Sequence, residues 1–121
     1  MTYILLVEDD TMIRTMVEAR LTRAGYEVVC ASDGIEALMR VRERLPNLIV
    51  LDMGLPKLNG WQTTQRLRAR RDSAEVPIIA LTAYALDADR ERALAAGCNA
   101  FEPKPIDFAS LLGTIERLLR K

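Results

Sequence analysis

Histidine is absent from the 121 residues, and cysteine occurs only twice, at Cys30 and Cys98. No imidazole-based catalytic triad can be built from such a chain, and the two distant cysteines have no metal-like spacing. Neither sign of charge is in excess, since 17 basic side chains meet 17 acidic ones. No net field therefore draws the protein to nucleic acid or to an anionic lipid surface. Long hydrophobic runs are missing as well. The N-terminal apolar stretch, Tyr3–Val7, is five residues, far short of the ~20 that a membrane span needs. Aromatics make up only 5% of the chain while hydrophobic residues make up 50%, so the core must be largely aliphatic. A chain of this length buries roughly two-thirds of its unfolded surface and can fold without disulfides or a structural metal. The expectation is one soluble, cytoplasmic domain over residues 1–121, with no membrane contact and no direct nucleic-acid binding.

What is present is a regular alternation. Short apolar, β-branched runs occur at Tyr3–Val7, Glu27–Ala31, Leu48–Leu51, Pro77–Leu81 and Asn99–Glu102. Ile4–Val7 and Leu48–Leu51 are apolar without alternation, which suits strands covered on both faces of a parallel sheet. Between the runs lie helical stretches at Thr11–Ala24, Ile35–Leu45, Trp61–Arg70, Leu86–Ala96 and Phe108–Arg120. Asp10, Asp33, Asn59 and Asp107 stand where helix caps belong, and Gly25 and Gly97 where helices stop. Strands joined by crossover helices must be parallel, and such crossovers are right-handed. The pattern predicts an α/β fold, a flavodoxin-like doubly wound (βα)5 sandwich with strand order 2-1-3-4-5.

Polar residues interrupt the apolar runs at informative places. The first run ends in Glu8-Asp9-Asp10, the third in Asp52, the fourth in Thr82, and the fifth is followed by Lys104-Pro105. In a parallel sheet all carboxyl ends share one edge, and ligands bind there where the strand order reverses. Two carboxylates at ~4 Å repel by about 1 kcal/mol in water and about 4 kcal/mol at an effective dielectric of 20. One lysine does not balance the acids, so a cation is expected. Mg²⁺ suits an all-oxygen donor set and pairs with phosphate, whereas zinc and copper favour His or Cys. Taken singly, Asp10 reads as a helix cap, Asp52 as a turn former, Thr82 as a strand residue and Lys104 as a solvated loop lysine. Their convergence on one edge favours a magnesium site with a phosphoryl partner.

The ordered set Leu6-Val7-Glu8-Asp9-Asp10, Leu51-Asp52-Met53-Gly54-Leu55-Pro56 with Asn59-Gly60, Leu81-Thr82-Ala83 and Lys104-Pro105 resembles the receiver domain of two-component response regulators. The likeness covers essentially the whole chain and is strongest to stand-alone regulators of the chemotaxis and cell-division type. It implies that Asp52 is the phosphoacceptor, served by a histidine kinase or histidine phosphotransfer protein. It implies that Asp9 and Asp52 bind Mg²⁺ directly, Glu8 through water, and Gly54 through its carbonyl. Thr82 and Lys104 would grip the phosphoryl oxygens, and Phe101 would turn inward as Thr82 moves. The lesser alternative for Phe101 is an ordinary core residue. The helix four–strand five–helix five surface would then address a protein target that the sequence does not name. The resemblance also implies a cis Lys104–Pro105 bond. The chain would be no enzyme beyond its own phosphorylation and dephosphorylation. The alternative is an excised receiver domain of a hybrid histidine kinase or larger regulator. Gly54 and Tyr84 occupy positions that tune phosphoryl lifetime, which is left open.

Rival classes fit less well. A haloacid dehalogenase phosphatase wants a second acid two residues after Asp52, where Gly54 stands. A flavodoxin-like cofactor binder wants a hydroxyl- or glycine-rich loop where Glu8-Asp9-Asp10 would repel phosphate. A degenerate scaffold receiver would lack part of the residue set. Arg66, Arg68, Arg70 and Arg71 read as complementing a helix carboxyl end. Met12 lies off the apolar stripe as an exposed docking contact, Trp61 is a fluorescent reporter near Asp52, and Cys30 and Cys98 read as buried thiols.

Overall fold

The computed structural model describes residues 1–83 and 86–120. Five apolar segments form the strands β1 (Tyr3–Val7), β2 (Glu27–Ala31), β3 (Leu48–Asp52), β4 (Ile78–Thr82) and β5 (Ala100–Pro103). They alternate with the helices α1 (Thr11–Arg23), α2 (Gly34–Glu43), α3 (Gly60–Ala69), α4 (Asp87–Ala96) and α5 (Phe108–Leu119). All pairings are parallel and the order is β2-β1-β3-β4-β5, as the alternation predicts. Element ends differ from expectation by one or two residues. The third and fourth runs extend to Asp52 and Thr82, so both polar groups are the last residues of their strands.

The period of two along each strand divides the core into two layers. Leu5, Val7, Ile49, Leu51, Ile78 and Ala80 pack with Ala37, Val41, Leu67 and Ala93 of α2, α3 and α4. Ile4, Leu6, Leu48, Val50, Ile79 and Leu81 pack with Val17, Leu21, Leu111, Ile115 and Leu118 of α1 and α5. β1, β3 and β4 are buried along their whole length, which is why their sequences show no alternation. β2 lies at the sheet margin, so Cys30 is only half-buried, while Cys98 is buried as expected.

Helix starts follow local chemistry. Asp10, Asp33 and Asp107 accept hydrogen bonds from the backbone N–H groups of Ile13, Glu36 and Ser110. Asn59 and Gln62 form a reciprocal capping box on α3. Each such cap stabilises its helix by about 1 kcal/mol. α4 has no side-chain cap and ends at Gly97, whose φ of +115° is the left-handed conformation that glycine adopts without strain.

The strand amino ends are tied by asparagines. Asn47 Oδ1 accepts from Tyr3 N and Asn99 Oδ1 from Ile78 N, both at 2.8 Å. Here the basic run proves heterogeneous. Arg68 reaches out of α3 to donate to the Gly97 carbonyl, the Ser73 carbonyl and Asn99 Oδ1, while Arg70 pairs with Asp72. Arg68 lies in the last turn of α3, as expected, and in addition cross-links the end of α3 to the α4–β5 turn. Met12 is 83% exposed, as its position off the stripe predicts. The Lys104–Pro105 bond is cis.

The β3–α3 loop is seated against the start of α2. Lys57 takes a φ of +65° and its ammonium lies 3.5 Å from Asp33, the α2 cap. A methyl group on Gly34 would run into the Leu58 carbonyl and the Thr63 hydroxyl. Overpacking of this kind costs about 1–3 kcal/mol, so Gly34→Ala should lower the unfolding free energy by that amount, read as a lower urea midpoint at unchanged slope. An unchanged midpoint would show that the loop gives way freely.

Candidate functional site

β1, β3 and β4 deliver their last residues to one edge, and β5 delivers the turn that follows it. Glu8 continues β1 and is almost fully buried at 1% exposure. Its backbone N–H donates to the Ala31 carbonyl at 3.0 Å, and its carbonyl accepts from Arg14 Nη1 at 2.9 Å. Asp52 closes β3 and is buried. Its Oδ1 accepts from the Gly54 N–H at 3.2 Å. Thr82 closes β4, also buried, with its carbonyl accepting from the Lys104 N–H at 2.8 Å.

Lys104 is the centre of the cluster. Its Nζ lies 2.7 Å from Glu8 Oε1 and 3.4 Å from Asp52 Oδ1. Burial pulls toward the neutral amine, but the Glu8 hydrogen bond and the Asp52 charge outweigh it and hold the ammonium above the ordinary lysine range. Glu8 responds oppositely. Burial pushes its carboxyl above the usual carboxylate range, and Asp52 adds to this, against the Lys104 hydrogen bond and the Asp10 N–H that donates to Oε2. One ammonium divided between two acids neutralises neither completely.

Asp9 completes the group from the exposed side. Carboxylate oxygens of Glu8, Asp9 and Asp52 all lie within 4.8 Å of one another. Three carboxylates against one ammonium leave two negative charges over an all-oxygen donor set, which fits a hard divalent cation such as Mg²⁺. Gly54 keeps the mouth of the site open. A Cβ there would meet nothing nearer than Asp52 Oδ1 at 3.9 Å, so space does not demand glycine. Asp10 is spent as the α1 cap, as expected.

Of the residues singled out from sequence, the structure brings Glu8, Asp9, Asp52 and Lys104 together, with Gly54 and Thr82 bordering them. Phe101 stands further along β5, half-buried against the layer under α2, α3 and α4. Tyr84 lies outside the described residues. Sequence reasoning missed Arg14, which pins the Glu8 carbonyl from the second turn of α1. Its only sequence signal is a basic residue six positions after the first acid.

Comparison with protein families matches residues 4–116 to the response regulator receiver domain. The chain belongs to this family. The receiver domain is 43% identical over 118 residues to the ycf27 protein of Pyropia yezoensis, named as a transcriptional regulator, covering 98% of this chain and 47% of that one. It therefore spans about half the length of the ycf27 proteins it matches. It is 34% identical over 116 residues to the polar-differentiation response regulator DivK of Brucella ovis, covering 96% of this chain and 94% of that one. Among solved structures, the receiver domain of the sensor histidine kinase PA1611 from Pseudomonas aeruginosa is 40% identical with a TM-score of 0.93. That match covers 99% of this chain and 98% of the other, which holds a magnesium ion in its active-site cleft. A phosphoacceptor role is general to receiver domains. Among the described residues no helix is long and apolar enough to cross a membrane.

The raised carboxyl of Glu8 carries a pH signature. A folded-state value above the unfolded one contributes stability that is complete below the unfolded value and is lost as pH rises through the folded one. In metal-free protein, Glu8→Gln should flatten the stability curve over that window, read from urea midpoints between pH 4 and 7. Mg²⁺ should act in the opposite sense. At ten times its dissociation constant it should stabilise by about 1.4 kcal/mol at neutral pH, and the gain should vanish in Asp9→Ala.

Proposed function

We propose that this receiver domain is a phosphorylation switch whose acceptor is Asp52. The donor is a histidine kinase or a histidine phosphotransfer protein, and the output is a changed α4–β5–α5 surface that controls a protein partner. The observation that carries the reading is the Lys104 ammonium held 2.7 Å from Glu8 and 3.4 Å from Asp52, beside three carboxylates whose oxygens converge within 4.8 Å. The magnesium in the cleft of the similar Pseudomonas aeruginosa receiver supports the same reading.

The chemistry asks little of the protein beyond position and charge. An Asp52 carboxylate oxygen attacks phosphorus, a new O–P bond forms, the N–P bond of the phosphohistidine breaks, and the imidazole leaves with that electron pair. Asp9, Asp52 and the Gly54 carbonyl, with Glu8 beside them, would hold Mg²⁺, which would supply positive charge against the phosphoryl oxygens. Lys104 is already charged and close to Asp52, so it meets the new dianion without reorganising. Thr82, at the end of the adjacent strand, donates its hydroxyl to a phosphoryl oxygen. The displacement of Thr82 opens room for Phe101, which turns in from its half-buried position. Phe101 has no hydroxyl, so its burial leaves no polar atom unsatisfied. A shift from 1:99 to 99:1 in favour of the active form requires about 5.5 kcal/mol of preference. The reading sets the switch in the cytoplasm and assigns it no reaction beyond its own phosphorylation and dephosphorylation.

Incubation with a labelled small phosphodonor or a phosphorylated histidine kinase should give one base-labile acyl phosphate per chain, dependent on Mg²⁺. Asp52→Asn should abolish it, because the other carboxylate at Lys104, that of Glu8, is already engaged by that ammonium and by the Asp10 N–H. Undiminished labelling of that variant would move the acceptor elsewhere.

A further inference from the structure

β5 carries a buried carboxylate that the site does not use. Glu102 is 7% exposed, and its Oε2 accepts from the Ser110 hydroxyl at 3.2 Å and the Thr114 hydroxyl at 3.0 Å, both on α5. No ion pair holds it among the described residues. Its strand neighbour in register is Leu81, which is buried in the apolar layer beneath α1 and α5. A leucine at position 102 would suit that apolar layer without needing polar partners, whereas the carboxyl group is buried there with two hydroxyls supplied by α5. Stability alone does not account for the acid.

Geometry does. Phe101 and Glu102 are successive residues of one strand and point to opposite faces. Phe101 packs on the α2–α4 layer and Glu102 faces α5. The other β5 residue on the α5 face is Ala100, a single methyl group that slides easily over apolar neighbours. Two hydrogen bonds converging on one oxygen do not slide. Any rotation of β5 must carry α5 along or break both bonds and leave a buried polar group without those partners.

We propose that Glu102, with Ser110 and Thr114, is the tether that transmits movement of β5 to α5, a coupling role distinct from the phosphoacceptor chemistry. The inference deepens the proposed switch and rests on it for its biological meaning. The tether itself is a property of the fold and is present without phosphate.

The test compares wild type, Glu102→Leu and Glu102→Gln by NMR, with beryllofluoride as the phosphoryl mimic. In wild type, resonances of Thr82, Phe101 and the α5 residues Leu111, Leu112 and Ile115 should all shift. In Glu102→Leu, Thr82 and Phe101 should still shift while the α5 response is lost. Glu102→Gln keeps an acceptor oxygen for the hydroxyls and should restore it, which a loss of packing would not explain. An α5 response of the same size in Glu102→Leu overturns the tether. Amide exchange on the unmodified protein gives a second reading. Residues 100–103 and 110–115 should open together in wild type and separately in Glu102→Leu, and identical exchange in the two proteins also overturns the proposal. A wild-type Asp52 pocket silent to beryllofluoride would instead overturn the phosphoacceptor reading, with exchange still deciding the tether.

Discussion

A single ammonium group has two carboxylates to serve at the carboxyl edge of this sheet. Lys104 sits 2.7 Å from Glu8 and 3.4 Å from Asp52, and 96 residues of chain separate it from the first of them. Closing so long a loop costs entropy that one ion pair cannot offset. The contact exists because three buried strands and the β5 turn are brought into parallel register by the two apolar layers. The reverse dependence is equally real. With Lys104 removed, buried Glu8 and Asp52 would keep only the Asp10 and Gly54 N–H groups as partners, at a cost in stability. The remaining imbalance, most of it on the exposed Asp9 side, leaves an all-oxygen edge whose charge suits a divalent ion.

The scaffold beneath the edge is stiff where position matters. β1, β3 and β4 have no exposed residue, and the loop after Asp52 is held between the starts of α2 and α3. Asp33 serves twice, capping α2 and pairing with Lys57. Arg14 fastens the Glu8 backbone from α1. The acceptor edge is therefore anchored by several independent elements. The β5 side is attached differently, through a few polar contacts to α5 and through Arg68 and Asn99 to the α3 end.

Most of the fold was legible because burial on both faces writes an unbroken apolar run. Ile4–Val7 and Leu48–Leu51 show this directly, and the caps Asp10, Asp33, Asn59 and Asp107 stand at the expected boundaries. The site was legible for a related reason, since an acid ending an apolar run can only lie at the sheet edge. Other features left no local trace. Arg68 reads as one of four arginines in a basic run, and its three contacts depend on where α4 ends in space. Glu102 ends the fifth run with nothing in the sequence to mark it, and its burial follows from its register beside Leu81. Cys30 reads as a core thiol because the sequence does not say that β2 lies at the margin.

Pro103 ends β5 at the opposite margin of the sheet. The next N–H, that of Lys104, turns inward to the Thr82 carbonyl, so position 103 faces away from β4. A proline there sacrifices no ladder bond and removes one donor from the open side of a strand only four residues long. An approaching chain finds too short and too broken a template to add itself as another strand. Whatever docks beside β5 must therefore recognise side chains of α4 and α5, which are free to differ between otherwise similar molecules. On the β5 side, a second copy of the chain therefore finds no continuous backbone edge to extend.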